Sequence, residues 1–491
     1  FLYTKMGEQW VSIKIDKHNP ETETFSEDAF ALSMSADRKT LLVVQQSGGE
    51  FGFALVPAKA TMPKKPEGTQ VRLADWRLTV DPREEWSQMF LDAWRLHRDF
   101  AYDPALRGID WEAVRDQHLP LVSRIGHRSE LGTIMGLMAS RLGILHSQVR
   151  GGDLPEDAEN SDMAFLGARY SPVAGGLRID SIYRAEADLV DLRPPLRRPD
   201  VDAREGDVIT HIDGRAVTSL ADLRLALASK AGQQVRLDLT RAGERRSAIV
   251  TPMDARGRAM AEYYDFTEGR KAATAELSGG QIGYLKLRAM GANDIASFAR
   301  DFFAQLDKDA MVIDVRNNSG GNIDSILISQ LLRRPWAFWG APDGTGTKTT
   351  NMQNAYRGHI AVLIDERTYS DGETFAGGVK SLGLGPLVGT RTAGAGIWLS
   401  DRNRVIDNGG VRIAEYAQYD INGSWIVEGY GVGPDYAVEN EPYATYQGRD
   451  AQLEAAIGLL TQRIEEEPVP ELTPRPLSPL GTPAADVTKL D

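Results

Sequence analysis

Apolar and polar residues alternate through the first part of the chain, and that two-residue period predicts β-strands over residues 1–78. The turn Ala36-Asp37-Arg38-Lys39, feeding the apolar run Leu41 to Val44, is one such strand-to-strand unit. Near Asp81-Pro82 the period lengthens to that of a helix. Asp81 offers an N-cap, Pro82 a first-turn proline, and Glu84 and Glu85 first-turn acids that suit the helix dipole. Trp86, Met89, Phe90, Ala93, Trp94 and Phe100 then fall at helical spacing and read as core. A second helix is predicted from Asp110-Trp111 and a third from Ser129, with Leu131, Ile134, Met135, Met138 and Leu142 on one side and Gly143 ending it. His97 and His118 are expected on helix surfaces, and His146 in the loop beyond the third helix.

Residues from about 160 to 255 read as a small β-rich unit. It holds the turn–strand–turn Arg204-Glu205-Gly206-Asp207-Val208-Ile209-Thr210-His211-Ile212-Asp213-Gly214, a helix from Leu220 to Ala228, and the alternating strand Val235 to Leu239. From 256 to about 465, strands alternate with helices, as in an α/β core: Ile282 to Leu287, Met311 to Val315, His359 to Ile364 and Leu387 to Gly389 are the strand candidates. Six prolines between Pro468 and Pro483 keep residues 466–491 from building a core and predict an extended tail.

Length and composition narrow the picture. At 491 residues several domains are expected. A net charge of −13 argues against nucleic acid or an anionic membrane as main partner, and no apolar run reaches the roughly 18 residues of a bilayer span. The absence of cysteine removes a thiol nucleophile, a disulfide framework and a thiolate metal site. It is compatible with the cytoplasm. Phe1 begins a strand already under way, which predicts that the chain starts inside a larger protein.

Ser370 carries the main chemical candidacy. It follows a buried-looking strand in His359-Ile360-Ala361-Val362-Leu363-Ile364 and precedes Asp371-Gly372-Glu373, which opens a helix. Its hydroxyl therefore sits where free N–H groups and the helix dipole favour an oxyanion, although serine is also the commonest helix cap. Of the seven histidines, His146 stands apart: it lies between a helix end and the pair Gly151-Gly152, in a loop able to face a cleft and act as a base. In Asp314-Val315-Arg316-Asn317-Asn318-Ser319-Gly320-Gly321 a strand delivers two glycines whose backbone can approach a ligand closely. Glu428, on the Gly-rich turn Val427-Glu428-Gly429-Tyr430-Gly431-Val432-Gly433-Pro434-Asp435, could orient a histidine or hydroxyl.

The segment 204–214 resembles a PDZ domain through its R-x-G-D-x-I-x-x-I-D-G pattern, and the loop holding Gly175, Gly176 and Leu177 is placed where such domains present N–H groups to a peptide carboxylate. The D-x-R-x-N-x-G-G and S-D-G-E motifs, in that order and with the preceding segments, resemble the tricorn protease family, a branch of the group that includes the C-terminal processing peptidases. The resemblance implies a multidomain α/β plus β chain. Residues 1–78 would end a β-propeller, 79–158 would be a helical segment carrying the histidine, 159–255 a PDZ-like domain, 256–465 a crotonase-like α/β catalytic domain, and 466–491 a tail. It makes Ser370 the nucleophile, His146 the general base and Glu428, 58 residues after the serine, a supporting acid. The N–H of Asp371 and that of Gly320 or Gly321 would form the oxyanion hole. It further implies peptide substrates, no metal or other cofactor, and a homo-oligomer, in the family often a hexamer.

Two features test the branch. Ser/Lys processing peptidases carry a lysine 25 residues after the serine; here Ala395 stands there, so histidine is favoured as base over an alternative such as Lys380. The tricorn pattern has a serine immediately before the histidine, where this chain has Leu145, and Ser147 is the candidate substitute. A non-catalytic peptide-binding scaffold is the alternative from another functional class.

Overall fold

The computed structural model describes residues 1–15, 18–47, 50–63, 70–72, 77, 79–154, 163–340, 350–472, 474, 476 and 479–481. Much of the Pro-rich tail expected over 466–491 lies outside these residues. The chain divides into two compact units, Phe1–Pro82 and Arg83–Asp491. The first holds two three-stranded antiparallel meanders, Leu2–Met6, Gln9–Lys14 and Glu21–Ser26, then Ala29–Met34, Thr40–Ser47 and Glu50–Pro57. Alternation puts Leu41, Val43, Ala54 and Val56 inside, against Phe25 and Ala29.

The second unit starts from three helices, Pro82–Phe100, Trp111–Val122 and Arg128–Ser140. Asp110 caps the second by accepting from the N–H of Ala113, and His127 caps the third. The helix-surface placement of His97 and His118 is corrected: both are buried. Each satisfies its Nδ1 on a carbonyl four residues back, Ala93 and Val114 respectively, at 2.8 Å, while Nε2 of His97 is buried with no partner among the described residues. These helices share a core with Ile397, Val405, Val411, Ile413 and Ala414 from late in the chain.

Residues 163–253 form a six-stranded sheet covered by the helix Leu220–Leu227. The long helix Ala255–Leu277 leads into an all-parallel sheet, Ile282–Lys286, Ala310–Asp314, His359–Ile364, Leu387–Gly389 and Tyr436–Ala437, in sequence order. Its first three strands are buried along their length, save for the half-buried His359 that begins the third, as expected when helices cover both faces. On one face pack Ala292–Phe303, Asp324–Leu331 and Asp371–Ser381. On the other, Leu453, Ala456, Ile457 and Leu460 of Ala451–Glu466 meet Tyr284, Val312 and Leu363. The loops after the second and third strands, at their carboxyl ends, carry Gly320 and Ser370, where ligands of open α/β sheets bind.

Candidate active site

The motif beginning at Asp314 builds its turn from below. Asp314 is fully buried among Tyr284, Lys286 and Arg316, accepting from Arg316 at 2.7 Å and Tyr284 at 2.7 Å. Burial pushes its carboxyl up, but the Arg316 and Lys286 charges outweigh that and hold it below the usual carboxylate range. Arg316 also reaches Asp450 at 2.8 Å, so the pair locks the strand end to the last helix. Asn318, also buried, donates to the carbonyl of Leu287 at 2.8 Å and accepts from the N–H of Gly320 at 2.9 Å. Its carbonyl accepts from the N–H of Tyr369 at 2.9 Å, tying the glycine turn to the serine turn.

The two glycines are needed for different reasons. Gly320 has φ +80°, and a Cβ there would lie 2.5 Å from Cβ of Ser370. A Cβ on Gly321 would meet the carbonyl oxygen of Met290. Gly320 has its N–H committed to Asn318; among the described residues no acceptor meets the N–H of Gly321 or of Asp371.

Ser370 sits at φ 55°, ψ −121° ahead of the helix Asp371–Ser381, a backbone state L-residues avoid and functional turns retain. Its hydroxyl makes no capping hydrogen bond, so the ordinary reason for a serine here is absent. What holds the turn is Glu373, wholly buried, which accepts from the N–H of Ser370 at 3.0 Å. It also accepts from Thr392 Oγ1 at 2.6 Å, Gly394 N at 2.6 Å and Ala395 N at 2.8 Å. Glu373 was not a candidate from sequence, though a Ser followed three residues later by Glu is a helix-start signature that could have marked it. Asp371 points the other way, accepting from the N–H groups of Ile323 at 2.6 Å and Asp324 at 3.1 Å. Burial is the main cause that raises its pKa to about 6, with the Asp324 charge adding to it.

His146 reaches the same region by a separate route. The strand Gln148–Arg150 pairs with Gly410–Tyr416, and Arg128 meets Asp407 at 2.6 Å, both side chains buried. These contacts fix the histidine loop on the hairpin that starts at Ile397. The ring of His146, 4% exposed, meets Tyr369 edge-on at 5.0 Å between centroids, next to Ser370. No hydrogen bond joins His146 to Ser370 among the described residues. Burial lowers the His146 pKa; the Ile397 carbonyl opposes this and the Arg412 charge adds to it. Glu428 accepts from the N–H groups of Gly396 at 2.9 Å and Ile397 at 3.1 Å. Burial raises its carboxyl above the usual range, and the Glu373 charge adds to that while the two N–H groups oppose it.

Four buried atoms here lack partners: Asp371 Oδ1 beside the serine, and His146 Nδ1, Ser147 Oγ and Glu428 Oε1 on the histidine side. Leu145, at the expected serine position, is exposed, and its carbonyl accepts from Tyr369 Oη at 3.2 Å. Lys380 is engaged elsewhere, with Gly433 O at 2.8 Å and Asp435 at 2.9 Å.

The structure does not bring Gly175, Gly176 and Leu177 to a groove. Ala174 and Gly175 are the turn of the hairpin Ala168–Val173 with Gly176–Ile182, Gly176 pairs with Val173, and Leu177 is wholly buried. A cavity of about 150 Å³ lies instead along Phe165, Leu166, Gly167 and Tyr170 and the helix residues Leu223 and Leu227.

Comparison with known proteins places these parts. Family models match over residues 82–140 (Tricorn protease C1 domain), 165–255 (Tricorn protease PDZ domain) and 281–438 (Peptidase family S41). The chain is 34% identical to Tricorn protease homolog 1 of Streptomyces coelicolor over 81% of its own length and 37% of that protein's. It is 27% identical to Tricorn protease of Thermoplasma acidophilum over 94% of its length and 42% of that protein's. The chain thus spans well under half of these relatives. Among solved structures it is similar to the crystal structure of the tricorn protease, with a TM-score of 0.81 and 26% identity, covering 93% of this chain and 44% of that one.

Proposed function

We propose that this chain, which belongs to the tricorn protease family, is a serine peptidase that hydrolyses peptide bonds in oligopeptides or unfolded fragments through Ser370. The observation that carries this is Ser370 itself: a strained, non-capping serine whose turn is held against Gly320 by backbone and carboxylate contacts. In the reaction, His146 takes the proton of Ser370 Oγ as the oxygen attacks the substrate carbonyl. The N–H groups of Asp371 and of the glycine pair receive the oxyanion, with the free N–H favouring Gly321 over Gly320. His146 then protonates the leaving amine, and water, deprotonated by the same imidazole, releases the acyl group. Glu428 supports the base. Ala395 in the lysine position and the pairing of Lys380 with Asp435 favour this over a Ser/Lys mechanism.

The test is covalent. A fluorophosphonate probe should label Ser370 of the full chain, and Ser370→Ala should lose both labelling and peptide hydrolysis while folding normally. Retained hydrolysis would refute the assignment, and an unlabelled, correctly folded wild type would return the chain to the peptide-binding scaffold reading. Within the same proposal, residues 1–78 are the end of a β-propeller and the α/β domain is crotonase-like. The assembly is a homo-oligomer, with a hexamer as the expected size, in the cytoplasm; sedimentation of the full chain measures the assembly.

A further inference from the structure

We infer that Glu373 is a positioning residue for the nucleophile, acting with Glu428 as one of two carboxylates that grip a single loop from opposite ends. The inference rests on Ser370 being the nucleophile. The loop in question runs from Thr392 to Ile397. Four consecutive N–H groups on it are divided between the two acids: Gly394 and Ala395 donate to Glu373, Gly396 and Ile397 to Glu428. The remaining contacts of Glu373 are the N–H of Ser370 and the hydroxyl of Thr392. Ile397, at the far end, has its carbonyl beside the His146 ring. One carboxylate therefore links the strained backbone of Ser370 to the loop whose other end borders the base.

The hydrogen-bond chemistry makes the requirement specific. Two carboxylate oxygens accept four hydrogen bonds, two on each oxygen, and every partner is a donor. A glutamine of the same shape has one oxygen and one NH2. Turned one way, the NH2 confronts the N–H groups of Ser370 and Ala395; turned the other, it confronts the Gly394 N–H and the Thr392 hydroxyl, so two of the four bonds are lost either way inside a site with no water-exposed alternative. Since Ser370 occupies an unfavourable φ, loosening the grip at either oxygen, directly on its N–H or through the loop that shares the carboxylate, lets the turn relax and moves Oγ away from the attacking position. A helix-capping role alone would predict lost stability with the hydroxyl's reactivity intact; the positioning role predicts lost reactivity in a folded chain.

The full chain carrying Glu373→Gln should be compared with wild type for its rate of labelling by a fluorophosphonate and for kcat and KM on fluorogenic peptides, with thermal melting as the folding control. Labelling and kcat should each fall about 10²-fold with KM changed less than about threefold. Thr392→Val removes one donor to Glu373, and with it the acceptor of the Val432 N–H, while keeping the carboxylate, and should slow labelling about tenfold; it decides the matter if Glu373→Gln does not fold. Wild-type labelling rates in a folded Glu373→Gln, or in Thr392→Val where Glu373→Gln fails to fold, overturn the inference. A wild type that does not label at Ser370 fails the underlying reading instead, and the inference falls with it.

Discussion

The two halves of the candidate site differ in how completely their polar atoms are satisfied. On the serine side, Glu373 fills both carboxylate oxygens, Asn318 uses both ends of its amide, and Gly320 packs against Ser370 without room for a methyl, while Asp371 leaves its Oδ1 buried and unpaired. On the histidine side, His146 Nδ1, Ser147 Oγ and Glu428 Oε1 are buried and unpaired. Unmade hydrogen bonds of buried groups cost about 1–3 kcal/mol each, so three in one place mark a half-site that is not in its most favourable arrangement. The serine half is preorganised by the fold, whereas the base half has bonds still to make. Hydrogen bonds of catalytic groups in unliganded enzymes are often long and tighten only around substrate.

The harshest way to break the contrast is to disturb the finished half. Gly320→Ala forces a Cβ into a left-handed backbone and against Ser370. It should lower kcat and fluorophosphonate labelling about 10³-fold and cost about 1–3 kcal/mol of stability, read by steady-state kinetics and denaturant titration. Activity within tenfold of wild type would mean the serine half is more tolerant than its packing implies.

The base half is tested next, by pH. Only neutral imidazole accepts the serine proton, and burial lowers the His146 pKa from 6.5. The labelling rate should therefore rise with pH through a midpoint below 6.5, being lost as pH falls. Asp371, raised to about 6, titrates in the same window, so the assignment needs a second variant. Asp371→Asn should keep the rising limb, whereas His146→Ala should abolish it and lower the rate by about 10²-fold. A limb that survives His146→Ala assigns the base elsewhere.

What the sequence made legible follows from period and chemistry. Helical and parallel-strand segments were readable because apolar residues repeat at their spacing; His359–Ile364 and Leu387–Gly389 have the expected bounds. The serine and glycine turns were readable because both carry motif residues. The contact between the 128–150 and 397–416 segments was not, since pairing of Gln148–Arg150 with a strand some 260 residues later has no local signature. Glu373 was hidden for the opposite reason: its local signature is ordinary, an acid in a first helical turn, and only the fold brings the loop 392–395 onto it. The burial of His97 and His118 was missed because a helical carbonyl supplies their partner, which spacing alone does not reveal.

The smallest expected effect sharpens the comparison most. Ser147 lies beside the histidine, and its hydroxyl is buried with no partner. Where the family pattern has a serine before the histidine, this chain has the exposed Leu145, so Ser147 either joins the base half during turnover or only occupies space. If it joins, Ser147→Ala should lower kcat by less than about tenfold, the scale of one neutral hydrogen bond, with little change in KM. Stability should hold or rise slightly, because the folded state loses an unsatisfied hydroxyl. Chemical denaturation and single-turnover kinetics on the same preparation separate the two readouts. Raised stability with unchanged kcat would leave Ser147 outside the reaction and Glu428 acting through the 396–397 loop. A fall in kcat without a fall in stability would show that a bond absent from the resting site forms when the site works.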